Sequence, residues 1–199
     1  MHLGAFTLFA GDPNHPLSEQ LITSSPEGLL IAETDAWQAR ICSLLGKRCS
    51  TYLRRGFSHH KLDLAHVRGF AERVPPDYTA HRFNADFAAR EYTGTAYTDP
   101  ETLLARGIGF CAVSGHEIAS VAAAYTNSRC GIEVQIYTHG PHRKKGLATC
   151  TSAALIAWCL ENGVTPHWSA ANAVSARLAE KLGYIQTHAY DAIVYSPER

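Results

Sequence analysis

Apolar and polar positions are most legible between residues 108 and 138. Ile108 to Val113 reads as a strand, Ser114-Gly115 as a turn, and Ile118 to Tyr125 as a second strand. Asn127-Ser128-Arg129 makes a loop and Gly131-Ile132-Glu133-Val134-Gln135-Ile136-Tyr137-Thr138 a third strand, which together predict an antiparallel meander. The period then changes. Leu147 to Leu160 is rich in Ala and Leu and apolar almost all round, which predicts a deeply buried helix. Asn162-Gly163 stops it. Thr165-Pro166-His167-Trp168-Ser169 predicts a short strand, and Asn172 stands where it caps a helix running to Leu182. Val174, Leu178 and Leu182 fall on one face of that helix, and Gly183 ends it. Tyr184 to Tyr195, β-branched and aromatic, returns as strand. Meander, helix, strand, helix and strand in that order describe a mixed α/β sheet.

The earlier part of the chain is less readable. Leu29-Leu30-Ile31-Ala32 suits a strand, Ala36 to Leu45 a helix before Gly46, and Leu62 to Glu72 an amphipathic helix on Leu64, Val67 and Phe70. Val74-Pro75-Pro76-Asp77 breaks the pattern, since consecutive prolines remove donors and disfavour helix before them. The expected division falls there: a small N-terminal α/β lobe over residues 1–75, on the acceptor side, and a catalytic domain over 76–199. Tyr78 to Arg82 then reads as a strand and Ala85 to Tyr92 as a short helix.

Composition narrows the classes. Eighteen basic residues balance eighteen acidic ones, so no overall field recruits nucleic acid or an anionic membrane. No apolar run approaches the roughly 18 residues needed to cross a bilayer. Met1-His2-Leu3-Gly4-Ala5-Phe6 lacks the features of a signal peptide. The six cysteines form no C-x-x-C pair and no cysteine/histidine cluster of zinc spacing, so a reducing, cytoplasmic setting without a bound metal is expected. Eleven histidines, among them His59-His60, His139 and His142, show no metal-hydrolase spacing and read as surface or loop residues.

The strand–loop–helix unit over residues 131–160 carries the chemistry. Amides in the first turn of a helix lack internal partners and, with the helix dipole, make an anion site. Gly146 lets the backbone approach a phosphate, and Arg143, Lys144 and Lys145 add charge. A solvated basic loop is the plainer reading of the same residues. Nucleotide-binding loops of the forms Gly-x-x-x-x-Gly-Lys-Ser/Thr and Gly-x-Gly-x-x-Gly are absent from the sequence.

Arg143-x-x-Gly146-x-Ala148, between an apolar strand and a buried helix, resembles the acyl-CoA signature of the GNAT acetyltransferases. Trp168-Ser-Ala-Ala-Asn172-Ala-Val-Ser175, running on to Leu-Gly183-Tyr184, resembles that family's second motif. The preceding Thr-Pro-His-Trp is most similar to the branch related to zwittermicin A resistance proteins. The resemblance covers roughly residues 78–195. It implies a GNAT-like acyl-CoA N-acyltransferase fold and acetyl-CoA as co-substrate. The main chain of Ile136, Tyr137 and Thr138 would pair with the pantetheine amides. The pyrophosphate would lie on the amides from Arg143 through Lys144, Lys145, Gly146, Leu147 and Ala148 to Thr149. Asn172 and, one turn on, Ser175 would reach the cofactor arm.

An amine must lose a proton before it attacks a thioester, the oxyanion needs a donor, and the leaving thiolate gains from an acid. Glu133, a carboxylate within an apolar strand, is the candidate base, although a solvent-facing or salt-bridged glutamate explains it equally. The tyrosine that the resemblance implies as acid is replaced by Ala179. Tyr137, Ser175 and Tyr184 are the substitutes by proximity, Tyr184 and Trp168 being also natural core residues. Tyr125 is a further residue expected near the acceptor cleft. The expected activity is transfer of an acetyl group to a small-molecule amine. A peptide or aminoacyl-RNA amine, or a non-catalytic acyl-CoA-binding module, are the alternatives, and a homodimer is one expected assembly.

Overall fold

The computed structural model describes residues 2–3 and 6–196; Met1, Gly4 and Ala5 of the N-terminal start lie outside the described residues. In chain order come β1 (His2–Leu3), β2 (Phe6–Phe9), α1 (Ser18–Thr23), β3 (Gly28–Ala32), α2 (Asp35–Leu45) and β4 (Cys49–Ser58). Next are α3 (Leu64–Ala71), β5 (Thr79–Arg82), α4 (Ala85–Glu91), α5 (Pro100–Arg106), β6 (Gly109–Ser114), β7 (Glu117–Ser128) and β8 (Gly131–Thr138). The chain ends with α6 (Leu147–Glu161), β9 (Pro166–Ala170), α7 (Ala173–Leu182) and β10 (Ile185–Tyr195).

These elements pack as two compact units, residues 1–54 with 189–199 and residues 55–188. In the first, β2 runs parallel to β3, which pairs antiparallel with Ile193–Tyr195 of β10. Thr34 caps α2 by accepting from the Trp37 amide, and the Trp37 indole donates to the Gly11 carbonyl at 2.9 Å. Phe9, Ile22, Leu30, Trp37, Ile41 and Ile193 fill the core between helices and sheet.

In the second unit the sheet order is β4-β9-β8-β7-β6-β5. The meander forms as expected, but β7 runs on to Ser128, so Asn127 and Ser128 are strand and the turn shrinks to Arg129-Cys130. A bulge at Tyr125 shifts the register there, from Ala124↔Val134 to Thr126↔Glu133. Helix α6 is buried on both sides, against β6–β8 and against α3, which is why it is apolar all round. Alternation along β8 sends Ile132, Val134 and Ile136 to the α6 core. Tyr137 packs instead with the α4–α5 core of Phe83, Leu103, Val121 and Ala123.

On α7 the expected stripe is corrected. Val174 is 68% exposed, while Ala176, Ala179 and Leu182 are buried; small residues let this helix lie close, and hydrophobicity alone misassigns its face. The break at Val74-Pro75-Pro76-Asp77 lies inside the second unit, as the turn between α3 and β5. Among the described residues no helix is long and apolar enough to cross a membrane, and the six cysteines are free thiols.

Candidate active site

Strands β8 and β9 pair in parallel only at Ile132↔Pro166 and Glu133↔His167. Beyond these, β9 turns to β4 (Trp168↔Phe57 to Ala170↔Arg55) while β8 stays with β7 as far as Thr138↔Ser120. The two strands therefore diverge into a wedge. The His139 amide donates to the Ala119 carbonyl at 3.0 Å, which fixes the alternation of the antiparallel ladder. Tyr137 lies in the β7 ladder, and Ile136 and Thr138 turn their main chain to the open edge. Of the three residues expected to face pantetheine, Tyr137 thus offers the wedge no main-chain group. The Thr138 carbonyl also accepts from Arg143 Nε at 3.1 Å.

Above the wedge the chain makes a 3-10 turn at Gly140–His142 and enters α6 through residues 143–146. Lys144 has φ 63°, the only positive value at a non-glycine among the described residues, and Gly146 has φ 85°. Left-handed residues in such a loop turn successive amides to one concave side, a nest suited to an anion. Among the described residues no acceptor is seen for the amides of Lys144 to Ala148; those of Thr149 and Cys150 go to the Gly146 carbonyl at 3.0 and 3.3 Å. A Cβ on Gly146 would meet nothing within 4 Å, so glycine is needed there for its dihedral and not for room.

The cations differ in freedom. Lys145 Nζ donates to the Tyr78 hydroxyl at 2.8 Å, Tyr78 bonds His142 Nδ1 at 3.0 Å, and His142 Nε2 lies 3.4 Å from Glu117. Tyr78 is buried under the loop, and nothing in a tyrosine after Pro-Pro-Asp marks it for this role in the sequence. Lys181, from the last turn of α7, brings Nζ within 3.5 Å of Thr149 Oγ1 in the first turn of α6. As one basic residue among many, it carries no signal of its own in the sequence. Beneath the loop, Ser120 Oγ bonds Thr138 Oγ1 at 2.8 Å and Thr151 Oγ1 at 3.4 Å, pinning the strand end to α6.

Glu133, Gln135 and Tyr137 share the α4–α5 face of β8 and are half-buried. Glu133 stands opposite Thr126 beside the Tyr125 bulge. Gln135 Oε1 is buried with no partner among the described residues. The Tyr137 ring meets His139 edge-on at 5.3 Å. Tyr125 itself is 9% exposed.

Around α7 the residues have structural duties. Asn172 Oδ1 accepts the Ser175 amide at 2.9 Å, and Ser175 Oγ accepts the Trp168 indole at 3.2 Å. Ala179 is fully buried, leaving no hydroxyl at that position. Tyr184 is a core residue, 3% exposed, whose hydroxyl donates to the Pro166 carbonyl at 2.9 Å. Burial, then the charges of Cys159 and Glu133, push its phenol well above the ordinary range. Tyr184 is thus enclosed by the core with its hydroxyl engaged by the Pro166 carbonyl. The His59 ring lies tilted against His60 at 4.4 Å and meets His167 edge-on at 5.8 Å; among the described residues no cluster of metal-ligating side chains forms.

A family model described as GNAT acetyltransferase matches residues 1–193. The N-acetyltransferase YdfB of Bacillus subtilis strain 168, itself uncharacterised, is 28% identical over 187 residues, covering 89% of this chain and 69% of YdfB. Among solved structures, a GCN5-related N-acetyltransferase-like protein from Streptococcus suis 89/1591 superposes with TM-score 0.86 at 28% identity, over 96% of this chain and 79% of its own. A GCN5-related N-acetyltransferase from Kribbella flavida shares the fold at TM-score 0.58 and 15% identity, over 87% and 68%.

Proposed function

The chain belongs to the GNAT acetyltransferase family, and from that premise we propose that it moves an acetyl group from acetyl-CoA directly to an amine on a small molecule. The observation that carries this reading is the wedge between β8 and β9 lying under a loop of open amides. The two features fit the two ends of one ligand. The nest at Lys144–Ala148 suits a pyrophosphate, with Arg143, Lys144 and Lys181 to neutralise it. The open main chain of Ile136, and the Thr138 amide, suit the amides of an extended arm, as an added strand would.

The donor supplies an activated acyl carbon. The chain must take a proton from the amine and steady the charge that grows on the carbonyl oxygen. Glu133 is the base in this reading: it is half-buried, on the α4–α5 face, beside the bulge. An amide of the open edge, that of Ile136, is the simplest oxyanion donor. For the acid, Tyr137 remains, on the same face as Glu133; Ser175 accepts from Trp168, which leaves its hydroxyl hydrogen available, but it stands on α7. Within the family, the Thr-Pro-His-Trp strand favours the branch related to zwittermicin A resistance proteins, and six free thiols favour a cytoplasmic setting.

One observation favours a second reading, an acyl-CoA-binding module without turnover: Ala179 is buried and Tyr184 is committed to Pro166, so no phenol of α7 or its end replaces the absent acid. Calorimetry with coenzyme A, followed by thiol release from acetyl-CoA over a panel of small-molecule and peptide amines, separates the two. Binding with transfer supports the enzyme; binding with no transfer to any amine supports the module; no binding sinks both. In an active enzyme, Glu133→Gln should lower the rate by roughly 100-fold or more and flatten its alkaline rise. An unaltered pH profile removes Glu133 as the base.

A further inference from the structure

A cleft of about 560 Å³ opens between α5 and the end of the β7–β8 hairpin remote from the basic loop, with Tyr97, Thr98, Thr102, Arg106, Thr126 and Arg129 among its walls. That volume suits a small molecule. Thr126 is the register partner of Glu133, so the cleft adjoins the candidate base along one face of the sheet.

Its polar groups are sorted by kind. Arg106 ends α5 and Arg129 occupies the hairpin turn; both are exposed, and among the described residues neither has a carboxylate partner. Asn127 Nδ2 donates to the Arg106 carbonyl and so ties the two walls. Asp99, at the N-cap of α5, has both carboxylate oxygens engaged. Its Oδ1 accepts the Thr102 amide at 2.6 Å, and its Oδ2 accepts the hydroxyls of Thr98 at 2.7 Å and Thr102 at 2.9 Å. These bonds, the Thr102 amide first, hold its carboxyl below the usual range. With their hydrogens given to Asp99, Thr98 and Thr102 meet the cleft as acceptors. The charged donors are thus the two guanidiniums, threonine oxygens are among the acceptors, and the Tyr97 ring is an apolar wall whose hydroxyl is buried.

Resting on the acetyl-transfer reading, we propose that this cleft seats the acceptor and that the acceptor is an amine bearing a carboxylate. Arg106 and Arg129 take the carboxylate, for which planar guanidinium forks are suited. The amine lies past Thr126, toward Glu133. A cationic polyamine would meet two positive charges and no carboxylate among the cleft's own walls, and is disfavoured by the same groups.

The test titrates coenzyme-A-saturated protein with N-acetylglycine and with N-acetylglycinamide, which differ only in the carboxylate. The acid should bind roughly tenfold tighter than the amide, the preference should weaken with salt, and R106Q and R129Q should each remove most of it with coenzyme A affinity unchanged. Equal affinity for the two probes, binding of neither, or a preference that both variants leave intact overturns the proposal. Thiol release with amino acids and their amides is read separately. Selective binding of the acid without transfer to any amine leaves the cleft assignment standing and defeats acetyl transfer alone.

Discussion

Two helices follow the two diverging strands, and they begin in opposite ways. Helix α7 closes its own N-terminus: Asn172 takes the Ser175 amide, and the residue before the helix is extended. Helix α6 has no side-chain cap; it starts at a left-handed glycine, and its leading amides stay open. Capping by Asn is worth about 1 kcal/mol, so α6 forgoes a stabilisation that α7 takes. Its compensation is burial, with residues such as Leu147, Leu155 and Ile156 fully inside. A helix held that firmly by packing can leave its first turn free for an anion.

The contrast can be broken first at Gly146. Gly146→Val forces a β-branched residue to φ 85°, which such residues resist by more than about 1–2 kcal/mol, and the loop should reorganise. Coenzyme A affinity by calorimetry should fall roughly a hundredfold or more, with the thermal midpoint moving little; unchanged affinity would refute the loop as the anion site.

Tyr184→Phe probes the α7 side, where structure and not ligand is at stake. Losing the bond to Pro166 should cost about 1 kcal/mol in denaturant unfolding, while coenzyme A affinity and transfer rate hold. Its pH dependence has a definite sign. The folded phenol lies well above 10.0, so the unfolded chain releases that proton first and stability falls as pH rises past 10. The variant should lose part of that fall, the rest belonging to other buried groups, among them Tyr97, Cys111 and Cys159, which burial raises to about 12, and Cys150. A rate loss in Tyr184→Phe would return this residue to the chemistry.

Asn172→Ala should lower stability by about 1 kcal/mol and change coenzyme A affinity less than Gly146→Val does. A larger affinity loss than at Gly146 would reverse the roles of the two helix ends. The smallest effect is expected at the bridge between them: Lys181→Ala should weaken coenzyme A binding about threefold at low salt and less at high salt. A salt-independent loss would point to packing, since Lys181 also lies over the Phe70 ring at 5.0 Å.

The meander, α6, the glycine stops and the Asn172 cap were legible because each rests on local physics: strand alternation, an apolar run, a left-handed terminus. The first 27 residues and β4 were not. Strands of two and four residues carry too few alternations, and β4, with Arg54, Arg55 and Gly56 inside it, does not look like core. Yet Arg54 is 8% exposed and donates to the Tyr52 hydroxyl at 2.9 Å, a burial that only tertiary partners explain. At the candidate site, the basic loop before α6 and the Asn172 cap could be read from the residues, and a ligand role for either only from the family resemblance. Tyr78, Lys181 and the Arg106–Arg129 pair could not, since each acquires meaning from a neighbour at least 23 positions away. The misreading of Val174 has the same root: alanines, not the largest apolar residues, mark the inner face of α7.

Divergence of β8 from β9 after two pairs has a kinetic signature. Strands in the middle of a sheet normally protect their amides from solvent exchange far better than outer strands do. Here Ile136 and Thr138 sit centrally, yet their amides on the open edge should trade hydrogen for deuterium like those of a margin. A ligand that bonds them acts as an inserted strand, so its concentration sets how slowly the centre of the unit breathes.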